Sequence, residues 1–300
     1  MWISVVLLAA ASTCAAGPEN RFFLMGSGEL HLKNQRNSRE DSVRLLDSNG
    51  EISEKALAAV DRVFGFSAEE KGEHISPRLL FMLSYFSDLV APGKIIHIES
   101  AYRSPEYNSQ IRKQGANAAR TSTHIDGMAL DFWIDGVDGK ALWETVRQTN
   151  CCGVGHYGDK TIHLDAGRPR FWEAATSGTQ STEPDYNRHL YLSTGYDRYA
   201  PGETLSMSLS GISTFDFGIR TTATLYSAAE SATAVVPLAL QSTVRTECMK
   251  IASRKASRLL STRLPDDLPA GRYRIEMEFC QKPFAQMPDK ALSNEIEVLR

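Results

Sequence analysis

The sequence predicts an α+β domain built on a small antiparallel sheet with helices, followed by an all-β immunoglobulin-like sandwich. Three observations carry this. Up to Trp172 the chain mixes capped helical runs with short alternating strands. From Ala174 to Asp185 the segment AATSGTQSTEPD is small and polar and has no large apolar residue, which is the composition of a linker. From Tyr186 onward only short β-rich runs appear, separated by Gly, Pro, Ser and Asn. The predicted layout is an N-terminal unit over 17–173, a linker over 174–185 and a C-terminal unit over 186–300.

Taken in order, RFFLMGSGELHLKN (Arg21–Asn34) reads as a hairpin turned by Gly26-Ser27-Gly28. Ser53 caps a helix that runs to Phe64 and stops at Gly65. Ser76-Pro77 opens a second helix, RLLFMLSYFSDLV, apolar over much of its circumference and therefore central to the core. Lys94–Ser100 is β-rich, and Gly139 starts a third helix with Ala141, Leu142 and Val146 on one side. MALDFWI and TIHLD read as short strands. The C-terminal runs YAPGETLSMSLSG, GIRTTATLYS, TAVVPLAL, LPAGRYRIEMEFC and SNEIEVL suit an antiparallel sandwich and hold no ligand cluster, so a binding or spacer role is expected there.

Composition narrows the class. The 300 residues are 42% hydrophobic and 23% charged with a formal net charge of −3, which excludes collagen, a disordered tail and a polytopic membrane protein. A net charge this small supplies no overall basic field for nucleic acid. Residues 1–16, MWISVVLLAAASTCAA, carry no charge. The apolar run Val5–Ala11 is shorter than the roughly 20 residues of a membrane span, and it reads as a secretory signal cut after Ala16. No Lys or Arg precedes it, and a buried N-terminal strand or helix is the competing reading. Cys14 offers a lipid anchor, ranked second because Thr13 is an unusual neighbour for that processing. The expected location is exported, periplasmic or at the cell envelope.

Five cysteines are too few for a disulfide scaffold. After cleavage, Cys248 and Cys280 share one segment and can pair in an oxidising compartment. Cys151 and Cys152 are adjacent; a bridge between neighbours is strained, so free buried thiols are expected, and a nucleophile beside His156 is the less favoured reading.

Unusual residues concentrate in one region: Ser100–Pro105, Ser122–Asp131, Gly153–Tyr157 and His163–Asp165. Gly127 lets the chain turn after His124. In MALDFWI, Leu130 and Phe132 face one side while Ala129, Asp131 and Trp133 face the other. His163 shares a face with Thr161 and Asp165. Two imidazoles and one carboxylate are the number of ligands a catalytic zinc uses while keeping a position for water. Structural hydrogen bonds would account for the same residues, and spacing between distant strands does not choose between the two. His31, His74, His97 and His189 are read as structural.

AYRSPEYN, then SxHxxGxAxD from Ser122 to Asp131, then GVGxY and HxDxGxxRxW from His163 to Trp172, resemble the zinc D-Ala-D-Ala-type peptidases of the M15 group, in the branch first catalogued as a domain of unknown function. The likeness covers roughly Arg21–Trp172. It implies His124, Asp131 and His163 as ligands of one Zn2+ per chain. It puts Arg103 on an arginine that contacts the substrate or the developing oxyanion. It makes Ser122 a support for the loop before His124 and Asp165 a partner that orients an imidazole. Relatives carry a general base just before the second histidine; here Lys160 stands three residues before His163, and the loop Gly158–Thr161 is a residue shorter. Asp159 and His156 are then the candidate bases. The implied function is an exported zinc metallopeptidase, carboxypeptidase or endopeptidase, acting on peptidoglycan stem peptides. The alternatives are a non-catalytic metal-containing envelope binding module and a structural envelope protein without metal.

Overall fold

The computed structural model describes residues 20–71, 73–177, 184–228, 235–241 and 246–299. The expected signal at 1–16, with Cys14, lies outside the described residues, as does the middle of the expected linker.

The N-terminal part is one seven-stranded sheet with helices packed on one face. Its strands are β1 (Glu29–Asn34), β2 (Glu40–Arg44), β3 (Ile95–Ser100), β4 (Ala129–Ile134), β5 (Gly153–His156), β6 (Ile162–Asp165) and β7 (Arg170–Glu173), in the order β2-β1-β3-β4-β6-β5-β7. The sheet is mixed, a correction to the antiparallel expectation: β1 runs parallel to β3 and β5 parallel to β7. The β1–β3 pair needs a crossover, and α1 (Glu54–Phe64) and α3 (Pro77–Val90) supply it.

Local chemistry sets the helices. In α1 the Ser53 side chain accepts from the Ala56 amide, and Gly65 ends the helix at φ 70°, in the left-handed region that glycine tolerates. In α3, Ser76 caps and Pro77 opens the first turn, and Leu79, Leu80, Phe81, Leu83 and Phe86 are buried. The short α2 (Ala68–Lys71) lies between them, and α4 (Pro105–Lys113) starts at Ser104-Pro105. In α5 (Gly139–Thr149), Leu142, Trp143 and Val146 are buried, whereas Ala141, expected on that side, is exposed.

The opening hairpin is β1 with β2, not Arg21–Asn34. The glycine turn is instead docked on α3. A Cβ at Gly26 would lie 2.5 Å from the Tyr85 backbone nitrogen, the Gly28 amide donates to Ser84 Oγ at 2.9 Å, and Phe22 packs on Phe81 with ring centroids 5.4 Å apart.

Residues 191–299 form two sheets. β15 (Leu260–Arg263), β10 (Thr204–Ser210) and β8 (Tyr191–Thr194) make the first. The second runs β13 (Val235–Ala239), β12 (Thr222–Ser227), β16 (Gly271–Gln281), β11 (Phe217–Arg220) and β14 (Cys248–Ile251), with β17 (Lys290–Leu292) and β18 (Ile296–Val298) on β16 and β9 (Arg198–Tyr199) on β18. Both contribute to one apolar cluster from Leu192 to Val298, separate from the cluster Phe22–Ala166; Tyr196 packs against each. Arg78 bonds Asp197, and Arg198 donates to the Phe22 carbonyl, joining the two parts.

Cys248 and Cys280 are bonded, with Cα atoms 5.9 Å apart. Cys151 and Cys152 are also bonded to each other, which corrects the free-thiol expectation. They follow Asn150, which caps α5 at φ 48°.

Candidate metal centre

Alternation divides the sheet. Ile96, Ile98, Leu130, Phe132, Ile134, Ile162 and Leu164 enter the core beneath the helices. The residues between them point to the opposite face. Register then aligns one row across five strands on that face: Ser100 opposite Asp131, Asp131 opposite His163, His163 opposite Gly155, and Gly155 opposite Trp172. The β3–β4 register slips between Ile98 and Ser100. A bulge of this kind re-aims side chains, and it sets Ser100 opposite Asp131. Arg103 follows three residues later; its Nε donates to Ser100 Oγ at 2.9 Å and its Nη2 to Asp131 Oδ2 at 2.5 Å.

His124 comes from a turn rather than a strand. Gly127, at φ 64°, lets its amide reach back to the His124 carbonyl at 3.3 Å. The Met128 amide bonds the Thr123 carbonyl, and Arg103 N–H also donates to the His124 carbonyl. Ser122 Oγ accepts from the His124 amide at 3.4 Å. The turn delivers His124 above Asp131, and His124, Asp131 and His163 present ligand atoms all within 4.8 Å of one another. All three are buried.

Hydrogen bonding fixes which nitrogens face inward. His124 Nδ1 lies 2.5 Å from the Ala101 carbonyl oxygen, so it carries a proton and donates. His163 Nε2 lies 2.8 Å from Asp165 Oδ2 and likewise donates. The remaining atoms, His124 Nε2 and His163 Nδ1, are 3.2 Å apart and lie 3.2 and 2.9 Å from Asp131 Oδ1. In the neutral rings both are lone pairs aimed at a carboxylate oxygen. A cation satisfies that arrangement, and each imidazole is backed by an acceptor, as metal-ligating histidines are.

Electrostatics differ between the two rings: at His163 burial opposes the charge, but Asp131 and Asp165 raise the pKa. Burial lowers the His124 pKa and keeps the ring neutral. Burial works against charge on Asp131, yet His124 and His163 hold its carboxyl well below the ordinary range. Asp165 behaves similarly: burial opposes its charge, and Arg170 and His163 outweigh it. Arg170 Nη1 and Nη2 bond the two Asp165 oxygens at 3.0 and 2.6 Å, and the Gly167 amide adds a third donor.

Tyr157, Arg170 and Trp172 also adjoin this group, and each lies in one of the three motifs, although spacing alone assigns them no role. Tyr157 Oη donates to Asp131 Oδ1 at 2.9 Å. Burial and the Asp131 charge push its phenol pKa far up, so it stays protonated. Glycine is required beside them. A Cβ on Gly155 would lie 2.3 Å from the Trp172 ring, and one on Gly153 2.2 Å from Asp165. Trp172 can therefore lie across β5 with its ring centroid 4.9 Å from that of His163.

The two candidate bases are not brought to this group. His156 stands opposite Ile162 on β6 and so faces the helical side of the sheet, with Trp143 of α5 beside it. Its Nε2 bonds the Asp159 carbonyl at 2.9 Å. Asp159 is exposed in the β5–β6 loop, and its carbonyl lies against Gly139 at the start of α5. Lys160 turns the other way, with its Nζ 3.3 Å from the centroid of the Trp133 ring, on which His97 stacks at 3.7 Å.

The part of the chain that carries this His-Asp-His group is similar to the M15-group peptidases. Residues 25–172 match the family model described as peptidoglycan L,D-endopeptidase MepK. The peptidoglycan L,D-endopeptidases MepK of Escherichia coli and of Shigella flexneri are each 28% identical over 144 residues, which is 48% of this chain and 79% of theirs. A probable peptidoglycan L,D-endopeptidase MepK of Haemophilus influenzae is 35% identical over 79 residues, 26% of this chain and 42% of its own length. No solved structure matches. The family match ends at Trp172, and the two later sheets lie beyond it.

Proposed function

We propose that this chain is an exported zinc metallopeptidase that hydrolyses peptide bonds in peptidoglycan stem peptides or cross-links. The observation that carries the reading is the inward convergence of His124 Nε2, His163 Nδ1 and Asp131 Oδ1, each with its opposite atom already engaged. These three atoms would hold Zn2+. The bound ion would supply a water acidified toward ~7 and a Lewis acid for the scissile carbonyl. The names of the similar proteins favour endopeptidase action on an L,D bond over carboxypeptidase action.

The chain's own residues divide the remaining work. Arg103 and Tyr157 hold the two oxygens of Asp131 and keep that carboxylate oriented. Asp165, braced by Arg170, fixes the His163 ring. The guanidinium of Arg103 carries a permanent charge at the rim of the group, where it suits a substrate carboxylate or an oxyanion. Neither His156 nor Asp159 is assigned the proton transfer, since His156 is turned away from the group and bonds Asp159 instead.

The layout belongs to the same reading: a signal over 1–16, a peptidase unit over 17–173, a linker over 174–185 and an immunoglobulin-like sandwich over 186–300. Among the described residues no helix is long and apolar enough to cross a membrane. The test is incubation of zinc-loaded protein with defined muropeptides, read by mass spectrometry. Cleavage products absent from a His163→Ala control support the peptidase. About one zinc per chain with intact muropeptides would favour the binding module instead.

A further inference from the structure

The turn that carries His124 is held from outside its own unit. Asp126, two residues on, is buried, with only 2% of its side chain exposed. A carboxylate so placed is costly unless it is paired. Its partners come from loops of the C-terminal unit. Arg254 Nη1 bonds Asp126 Oδ1, the Gly211 amide donates to Oδ2 at 3.1 Å, and Arg258 Nη2 donates to the Asp126 carbonyl at 2.7 Å. Arg258 also pairs with Glu73, three residues before Ser76, whose amide bonds the Gly127 carbonyl at 3.0 Å. Both arginines are substantially buried, at 27% and 15% side-chain exposure, and burial lowers the pKa of each.

We propose that Asp126 is the joint through which Arg254 and Arg258 of the C-terminal unit position the His124 turn, making that unit a positioning part of the metal centre and not a detachable spacer. The His124 turn is held through its backbone and through the Asp126 side chain. On one side Arg103 N–H bonds the His124 carbonyl; on the other, the C-terminal unit grips Asp126. Release of that grip frees Ile125–Gly127 and lets the His124 ring leave the line of Asp131 and His163. Arg254, Arg258 and Asp126 are positioning residues and touch no ligand atom of the group.

The inference rests on the metal reading above, and its test separates the two. Arg254→Gln and, separately, Arg258→Gln are made in the full chain. Three quantities are measured: zinc dissociation by chelator competition, amide hydrogen exchange of metal-free protein, and the global unfolding midpoint. The expected result is zinc held about tenfold more weakly, the effect of losing a partner outside the ligand shell. Exchange should quicken at residues 122–128 while the core of α3 stays protected, and Arg254→Lys should recover most of the zinc affinity. Wild-type zinc affinity with unchanged exchange at 122–128 would overturn the proposal, as would exchange that rises evenly over the whole chain. If the wild-type chain takes up no zinc, the metal reading fails, and local exchange alone still decides whether the clamp positions the turn.

Discussion

Asp131 and His163 stand directly opposite each other on neighbouring antiparallel strands, with Asp131 Oδ1 2.9 Å from His163 Nδ1. The two residues are 32 positions apart in sequence, and the pairing of β4 with β6 alone makes them neighbours. Because opposed residues share a face, the contact is a property of register; a one-residue slip would send one of them into the core.

Replacing His163 with alanine should abolish stoichiometric zinc and hydrolysis while far-UV circular dichroism stays that of the wild type. Metal analysis of the purified variant checks this. Full zinc retention would remove His163 from the ligand set.

Asp165→Asn leaves every proposed ligand in place but weakens the acceptor that fixes the His163 ring. Zinc affinity should drop by about 10–100-fold. Competition with a chromogenic chelator reads the change, and an unaltered constant would show that Asp165 serves only Arg170.

Arg103→Ala also removes the partner of Asp131 Oδ2, so it should weaken zinc binding and, once metal-loaded, lose turnover by a factor on the order of 10²–10³, the scale of removing one oxyanion donor. Muropeptide kinetics on metal-loaded protein decide it. Unchanged kcat would leave Arg103 as a brace for Asp131 alone.

His74 gives a pH signature away from the centre. Burial opposes its charge, but Asp61, with Oδ2 2.5 Å from Nδ1, and Glu54, 3.0 Å from Nε2, raise its pKa. A raised folded pKa contributes stability that is fully present below the unfolded value of about 6.5 and is lost as pH rises through the folded value. Urea unfolding on either side of that interval should show wild type losing stability toward alkaline pH relative to His74→Gln. Parallel curves for the two proteins would refute the assignment.

Reduction should lower the unfolding midpoint. The Cys248–Cys280 bridge spans 32 residues and joins β14 to β16. Opening a loop of that size costs about 2–4 kcal/mol. Cys248→Ser with Cys280→Ser should reproduce the reduced midpoint in calorimetry; an unshifted midpoint would mean the bridge constrains nothing in the unfolded chain.

Short-range chemistry was legible along the chain. Ser53 and Gly65 bracket α1, and Ser76-Pro77 opens α3. The alternation of MALDFWI separated Leu130 and Phe132 from Asp131 and Trp133. Each of these depends on residues within a few positions of one another, so sequence alone settles them. The same alternation, applied to Gly153–His156, would have put His156 on the face of the buried Val154 and away from the centre.

Long-range placement belonged to the tertiary structure. Strand order and the β3 bulge decide that Ser100, Asp131, His163, Gly155 and Trp172 form one row. Docking on α3 decides that the Gly26–Gly28 turn is no hairpin, and parallel pairing of β5 with β7 brings Trp172 to His163. The grip of Arg254 and Arg258 on Asp126 joins positions more than a hundred residues apart. Residue types and local periods fix what each segment can become, but which faces meet depends on how the whole chain buries its apolar surface, and no local window contains that.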